Sequence, residues 1–498
     1  MGVIERQGIK QSIVSYAGIV IGAISTLFLY PLLRDEYGLV QFVMGAALLV
    51  VPFTMLGMTS VAIRFFPEFE NEENGHNGFL TFLSLAIVAG FLLFLVFLFV
   101  TQNYVFDYFD DEKTPVWYKE YLPYAVPLVF LISWSNLLKH YIHNFKRIVF
   151  PSIFDNLLPK IVLPLLLLGY YFEILNLDVI VKAVVVMWIG IVLAQLGYIY
   201  SLGQLHFSLD FKHFTRERMK RMASFGAYGL FGGWGYVLVN RVDIVMVGLF
   251  TNAELVTIYT FCVFIAEFID VPRKAITNIS SPLISQAWER KDLPYLEDLY
   301  QKSSVVQYIA GLFLFLLIWT NVGDLYSIMT NGEPYRAEIM TVGLLGLSKV
   351  VDMVTGVNGS IIAMSKYYKV NLVFLVVMGG VNILLNALLI PKYGLSGAAL
   401  ATLLSMIIFN ILKYLLLFFK LKMQPFTRQT FYVTLVFMVI LLLLINIPIE
   451  IYPVVNIALR GALTAILFGG VVYYLKISEE VNGSIEKVLG MIGILPKK

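Results

Sequence analysis

Charge is what this sequence has least of. Acidic and basic residues together make up 14% of its 498 positions, against roughly 25% in a soluble domain, so no water-soluble set of domains fits. Cysteine is scarcer still. The single one, Cys262, excludes an intramolecular disulfide and any metal site built on cysteine. Catalytic signatures are missing as well: there is no HExxH, no P-loop, no GxGxxG and no cysteine–histidine ligand cluster. The chain is therefore expected to hold no cofactor and no metal, to hydrolyse no ATP and not to be an enzyme. Its net charge of +3 gives no reason to expect nucleic acid as a partner. No linker is low in complexity, and no soluble domain interrupts the chain.

What is present is apolar length. Hydrophobic residues make up 59% of the chain, and the mean hydropathy is +0.80. Runs of about 20 apolar residues, each enough to cross a ~30 Å hydrocarbon core, recur from end to end. Fourteen are expected to span: 10–33, 40–61, 79–101, 120–138, 149–171, 178–203, 222–249, 254–281, 304–321, 337–363, 370–390, 395–419, 428–447 and 454–475. The first is too long for a signal-peptide core and reads as a retained span. The fold class is an all-α polytopic membrane protein.

The loops orient it. Placing the N-terminus in the cytoplasm puts twenty-three lysines and arginines on that side and five on the other, as the positive-inside rule requires. Both termini are then cytoplasmic. Loop 204–221 is the most basic and divides the chain after the sixth span. This gives a lobe over 1–210, a second over 211–425, and two additional helices with a tail over 426–498. Tyr-Gly-Leu occurs at 37–39 and again at 393–395, a thin sign of duplication.

Apart from Lys10 and Arg428 at the first positions of their spans, eight basic residues fall within spans. Lys182, Arg273, Lys274, Lys413 and Arg460 lie near span ends, where a long side chain snorkels to the interface. Lys160, Arg241 and Lys349 lie deeper, with Asp243, Glu267, Asp270 and Asp352 nearby. Lys349 and Asp352, three apart, can share a helix face. In the stretch NRVDIVMVG, Arg241 and Asp243 are two apart and point different ways. At about 2.5–3.5 kcal/mol per mid-membrane charge, Lys160, Arg241, Asp243, Lys349 and Asp352 would cost about 13–17 kcal/mol in lipid. They must face the protein interior, most simply a water-filled cavity. The glycine-rich run 226–237 ahead of Asn240 allows either bending or close packing. Pro159, Pro164 and Pro272 are expected to break helices near charged positions.

The stretches YAGIVIGAISTLFLYPLLRDEYGLVQF (16–42), NRVDIVMVGLF (240–250) and LIPKYGLSGAALATLLS (389–405) resemble the polysaccharide biosynthesis, O-antigen (Wzx-type), flippases. These belong to the multidrug/oligosaccharidyl-lipid/polysaccharide exporter superfamily. The resemblance implies two six-helix lobes around a central cavity and alternating access. It implies a bacterial cytoplasmic membrane, a polyprenyl-diphosphate-linked oligosaccharide as cargo, and membrane lipids and other polysaccharide-assembly proteins as partners. It carries over Asn240, Arg241 and Asp243 as matching positions.

With the residue reading, Arg241, Lys160, Lys349 and Asn240 are the candidate cargo ligands. Asp243, Asp352, Glu267 and Asp270 are the candidate acidic groups of the cavity or of ion coupling. Asn156, Asn358, Asn382, Trp188 and Trp234 could present polar and aromatic surface to sugar. Two related cargoes stay open. A cation-coupled exporter of small amphiphiles would want surplus carboxylates. Lipid II flippases typically carry arginines in the first span, and residues 11–33 hold no charge. A membrane polymerase or ligase would need a large outer loop, and the longest, 102–119, is short.

Overall fold

The computed structural model describes residues 14, 17–72, 74–109, 116–145, 147, 149–209, 211–447 and 451–491; side chains at 102–109, 116–118, 155, 156, 236, 239, 240, 488 and 491 are outside it. Among the described residues every regular element is helical. They are α1 (Ala17–Leu32), α2 (Arg34–Met55), α3 (Met58–Phe69), α4 (Phe79–Phe109), α5 (Val116–Tyr121), α6 (Ala125–Asn144) and α7 (Val149–Asn156). There follow α8 (Leu158–Tyr171), α9 (Leu177–Ser201), α10 (Arg216–Phe250), α11 (Ala253–Arg290), α12 (Leu293–Trp319), α13 (Val322–Ile328) and α14 (Glu333–Arg336). The last are α15 (Ile339–Met353), α16 (Asn358–Met364), α17 (Tyr368–Leu421), α18 (Arg428–Asn446), α19 (Pro453–Thr464), α20 (Gly470–Tyr474) and α21 (Glu479–Met491).

Among the described residues ten helices are long and apolar enough to cross a membrane, and eleven if the α15–α16 pair, bent by 50°, is one broken span. The expected fourteen are not reached by length and composition alone. The 54-residue α17 is two expected spans joined at Gly394, where φ +57° and ψ −137° reverse the chain. Only glycine takes that conformation cheaply. The other Tyr-Gly-Leu, at 37–39, lies within the first turns of α2, so the two copies do not share a conformation.

Local sequence sets the helix ends. The Asn176 side chain accepts from the Val179 amide at 2.9 Å to start α9, and Asp292 accepts from Tyr295 at 3.1 Å to start α12. Both are N-caps satisfying a first-turn donor. Pro159 sits in the first turn of α8, after a break at Leu157, where its missing N–H is no loss. Pro272 does not break anything: α11 runs through it for 38 residues.

The chain forms two compact units, Met1–Thr257 and Ile258–Lys498. In the first, α2 packs on α4, α6 and α10, and α3 packs on α6 and α10. Leu39, Phe42, Ile132 and Ile191 centre one apolar core; Val61, Phe69, Phe79 and Tyr141 centre another. Leu56 and Gly57 turn left-handed between α2 and α3. A Cβ on Gly57 would lie 1.8 Å from the Gly226 carbonyl oxygen. The glycine run of α10 is thus used for close approach, while α10 itself stays continuous. In the second unit α15 packs on α12 and α17, and α18 packs on α12. Ile309, Leu316, Met353 and Phe437 lie at the centre of its larger core.

Candidate functional site

Three helices of the second unit bring most of its buried charge together. The α11 helix supplies Asp270, Arg273 and Lys274, so spaced that both cations reach back to the same carboxylate. Arg273 donates to both Asp270 oxygens, to Oδ2 at 2.9 Å. Lys274 Nζ lies 3.4 Å from Oδ2. The α15 helix contributes Asp352, whose Oδ2 is 3.3 Å from Arg273 Nε. The guanidinium therefore bridges two carboxylates on two helices. Returning along α17, Lys413 Nζ reaches Asp352 Oδ1 at 3.5 Å, and Asn410 Nδ2 donates to that oxygen at 3.1 Å.

A neutral shell completes the cluster. Asn410 Oδ1 accepts from the Thr355 hydroxyl at 2.7 Å and from Asn358 Nδ2 at 3.2 Å. Lys413 lies over the Phe409 ring, 4.1 Å from its centroid, a cation–π contact that helps hold a desolvated ammonium. Exposure grades across the cluster: the side chains of Lys413 and Asp270 are 5% exposed, Arg273 29% and Lys274 55%. The cluster has a closed floor and a cationic rim. Lys349 adds attraction to Asp352 from further away. Asp270 and Asp352 thus face Arg273, Lys274, Lys349 and Lys413, and Glu267, three residues before Asp270, is exposed.

Several sequence expectations change here. Lys349 is not the close partner of Asp352; Arg273, Lys413 and Asn410 are. Lys413 does not snorkel, being buried in the ion network. Arg460 also has a fixed partner, since its Nη1 lies 2.6 Å from Asp324 Oδ2, whose other oxygen accepts from Asn456 at 3.0 Å. Lys182 keeps the simple arrangement, pairing with Asp178 one turn earlier at 2.5 Å in an exposed position.

The remaining candidates lie in the first unit. Along α10, Arg241 is exposed and Asp243 buried, the divergence that a two-residue spacing dictates. The Asn240 side chain is outside the described residues. Beyond Asp243 the helix lies on α2, with Phe42 over Gly248 and Gly45 beside Val245. Lys160 is half-buried on α8, its methylenes 3.5 Å from where a Cβ on Gly22 would be. Of the proposed sugar-facing groups, Asn358 is committed to Asn410 and Asn382 to Asn386. Trp188 belongs to the apolar core, Trp234 meets Phe53 edge-on at 4.8 Å, and the Asn156 side chain is outside the described residues.

The missed partner was Arg273. Its i, i+3 spacing from Asp270 was legible; the link to Asp352, 79 positions away, was not.

Fold and site together define a polytopic α-helical membrane protein with an ion network sequestered among its helices. Comparison with known proteins adds to this. No family model matches the chain. Over 221 residues, 43% of this chain, it is 24% identical to the probable flippase AglR of Haloferax volcanii, and the match spans 44% of that relative. Among solved structures, the lipid II flippase MurJ in an inward closed conformation superposes with a TM-score of 0.70, at 14% identity over 95% of this chain and 99% of MurJ. An inward-facing multidrug resistance MATE family transporter of the MOP superfamily superposes with a TM-score of 0.57, at 13% identity over 83% and 93%. The fold is that of these transporters.

Proposed function

We propose that the chain is a flippase that moves a polyprenyl-diphosphate-linked oligosaccharide across a bacterial cytoplasmic membrane by alternating access. Its lobes would be 1–210 and 211–425, with 426–498 adding two helices. The observation that carries the reading is the cation-rich rim of the buried network, with Arg273 and Lys274 open above Asp270 and Asp352. A carrier of cationic drugs would want carboxylates in surplus; a diphosphate wants guanidinium and ammonium groups. Arg241 is the second anchor. With 222–249 as a span, an arginine exposed there is too costly against hydrocarbon and would have to face water or cargo. Similarity to a probable flippase and the fold of a lipid II flippase support the same class. The O-antigen type of cargo rests on the sequence resemblance and on the uncharged first span.

The membrane potential can supply the energy. The diphosphate carries about two negative charges, so at ~2.3 kcal/mol per charge per 100 mV an inside-negative potential favours export by about 4.6 kcal/mol. Proteoliposomes holding purified protein and a fluorescent polyprenyl-diphosphate oligosaccharide test this, with a potential imposed and no proton or sodium gradient. Flipping under that condition alone is expected. Flipping that appears only with a cation gradient and is lost in Asp243→Asn would favour ion-coupled export. No flipping of this cargo under either condition would refute the reading.

A further inference from the structure

One face of α11 stays polar along much of the helix. Glu267, Lys274, Asn278 and Ser285 are all exposed on it. Seven residues of α-helix turn about 20° short of two full turns, eleven turn about 20° past three, and eighteen close five. The four side chains therefore start within about 20° of one line. Phe268 and Ile279, 41% and 70% exposed, lie to one side of that line. Asp270 and Arg273, which belong to the ion network, lie to the other.

The line runs along a segment suited to crossing a membrane. Ala253–Arg290 is long and apolar enough to do so, and Glu267 stands at the middle of the expected span 254–281. A carboxylate exposed there is too costly against hydrocarbon and would have to face water or cargo. Asp270, one turn further on, is taken up by Arg273 and Lys274. Glu267 makes no hydrogen bond and no ion pair with any described residue. It is the carboxylate of this face that is left open.

Its position relative to the cations gives it a use. Positions 267 and 274 are about 10 Å apart along the helix axis, a gap that two long side chains and one sugar ring can fill. A diphosphate drawn to Arg273 and Lys274 would bring its first sugar beside Glu267. An ionised carboxylate only accepts hydrogen bonds. It suits the hydroxyl and amide N–H donors of a neutral sugar and repels a second carboxylate. We propose, building on the flippase reading, that Glu267 reads the sugar joined to the diphosphate and selects a neutral one, such as an N-acetylhexosamine, over a uronic acid.

The test titrates full-length protein in detergent with three soluble probes. These are farnesyl diphosphate, the same diphosphate bearing N-acetylglucosamine, and the same bearing glucuronic acid. Wild-type protein should bind the N-acetylglucosamine probe about tenfold or more tighter than the glucuronic acid probe, the scale of a hydrogen bond to a charged group. Glu267→Gln, whose amide both donates and accepts, should bring the two affinities together and keep the affinity for farnesyl diphosphate. Glu267→Lys should reverse the order. Both variants should melt with the wild type, as expected for an exposed side chain with no partner among the described residues. An unchanged preference in both variants overturns the proposal. So does an equal loss for all three probes, which would make Glu267 a diphosphate or ion-coupling group, and so does a lowered melting temperature, which would make it a structural one. Wild-type protein that binds all three probes alike overturns the proposal and leaves the flippase reading standing. Wild-type protein that binds none of them refutes both.

Discussion

Arg241 with Asp243, and Asp270 with Arg273 and Asp352, are two ways of keeping charge within a membrane protein. In α10 the charges are neighbours in sequence and part in space, one exposed and the other buried. In the second unit, residues from three helices converge until every carboxylate oxygen has a cation or an amide beside it. The first arrangement leaves a guanidinium exposed and, among the described residues, without a carboxylate partner. The second spends most of its charge on holding α11, α15 and α17 together and leaves only its rim open. Burial is the discriminating variable, because a desolvated charge must be fully partnered while a solvated one is available for binding.

The largest effect expected from breaking that contrast is at Asp352. Replacing it with Ala strands Lys413, which is 4% exposed, and loss of one partner of a buried pair costs about 3–5 kcal/mol. Thermal melting in detergent should show a large drop. The double variant Asp352→Ala with Lys413→Met should recover much of it, and a double that melts as low as the single would mean that the pairing is not what holds the helices. Exchanging Lys349→Asp and Asp352→Lys sharpens the same point. The exchange would place a lysine beside Arg273 and Lys413, so folded protein should be lost; near-normal yield would show that Lys349 is the true partner.

Next is Arg241→Ala, where stability should hold and transport should fall. A charge-assisted phosphate contact worth about 1.5–3 kcal/mol corresponds to roughly 10–150-fold in flipping efficiency. Arg241→Lys should recover part of the rate, since the charge remains and the two-pronged geometry is lost. A melting temperature that falls with the rate would make Arg241 a structural residue like Asp352.

Smaller again is Arg460→Ala, which removes the bond to Asp324 that ties α19 to α13. A loss of about 1–3 kcal/mol is expected, read as earlier proteolysis within 453–474. The smallest effect is at Lys182, whose exposed pair with Asp178 should be removable with no measurable change in melting, as for most surface ion pairs.

The membrane class and the caps at Asn176 and Asp292 follow from local composition and spacing. Each is set by residues close in the chain, and an apolar run long enough to cross hydrocarbon has few other places to go. The divergence of Arg241 from Asp243 is equally local, a consequence of 3.6 residues per turn. The partners of Asp352 are another matter. Lys413 is 61 positions away and Arg273 is 79, and the nearer, correctly spaced Lys349 is passed over because α15 turns that face of the carboxylate toward α11 and α17. Likewise, nothing local marks Glu254 for Arg34 or Gly57 for the Gly226 carbonyl. Those contacts depend on how close two helix backbones come, a distance fixed by packing summed over the whole interface and by no single stretch of residues.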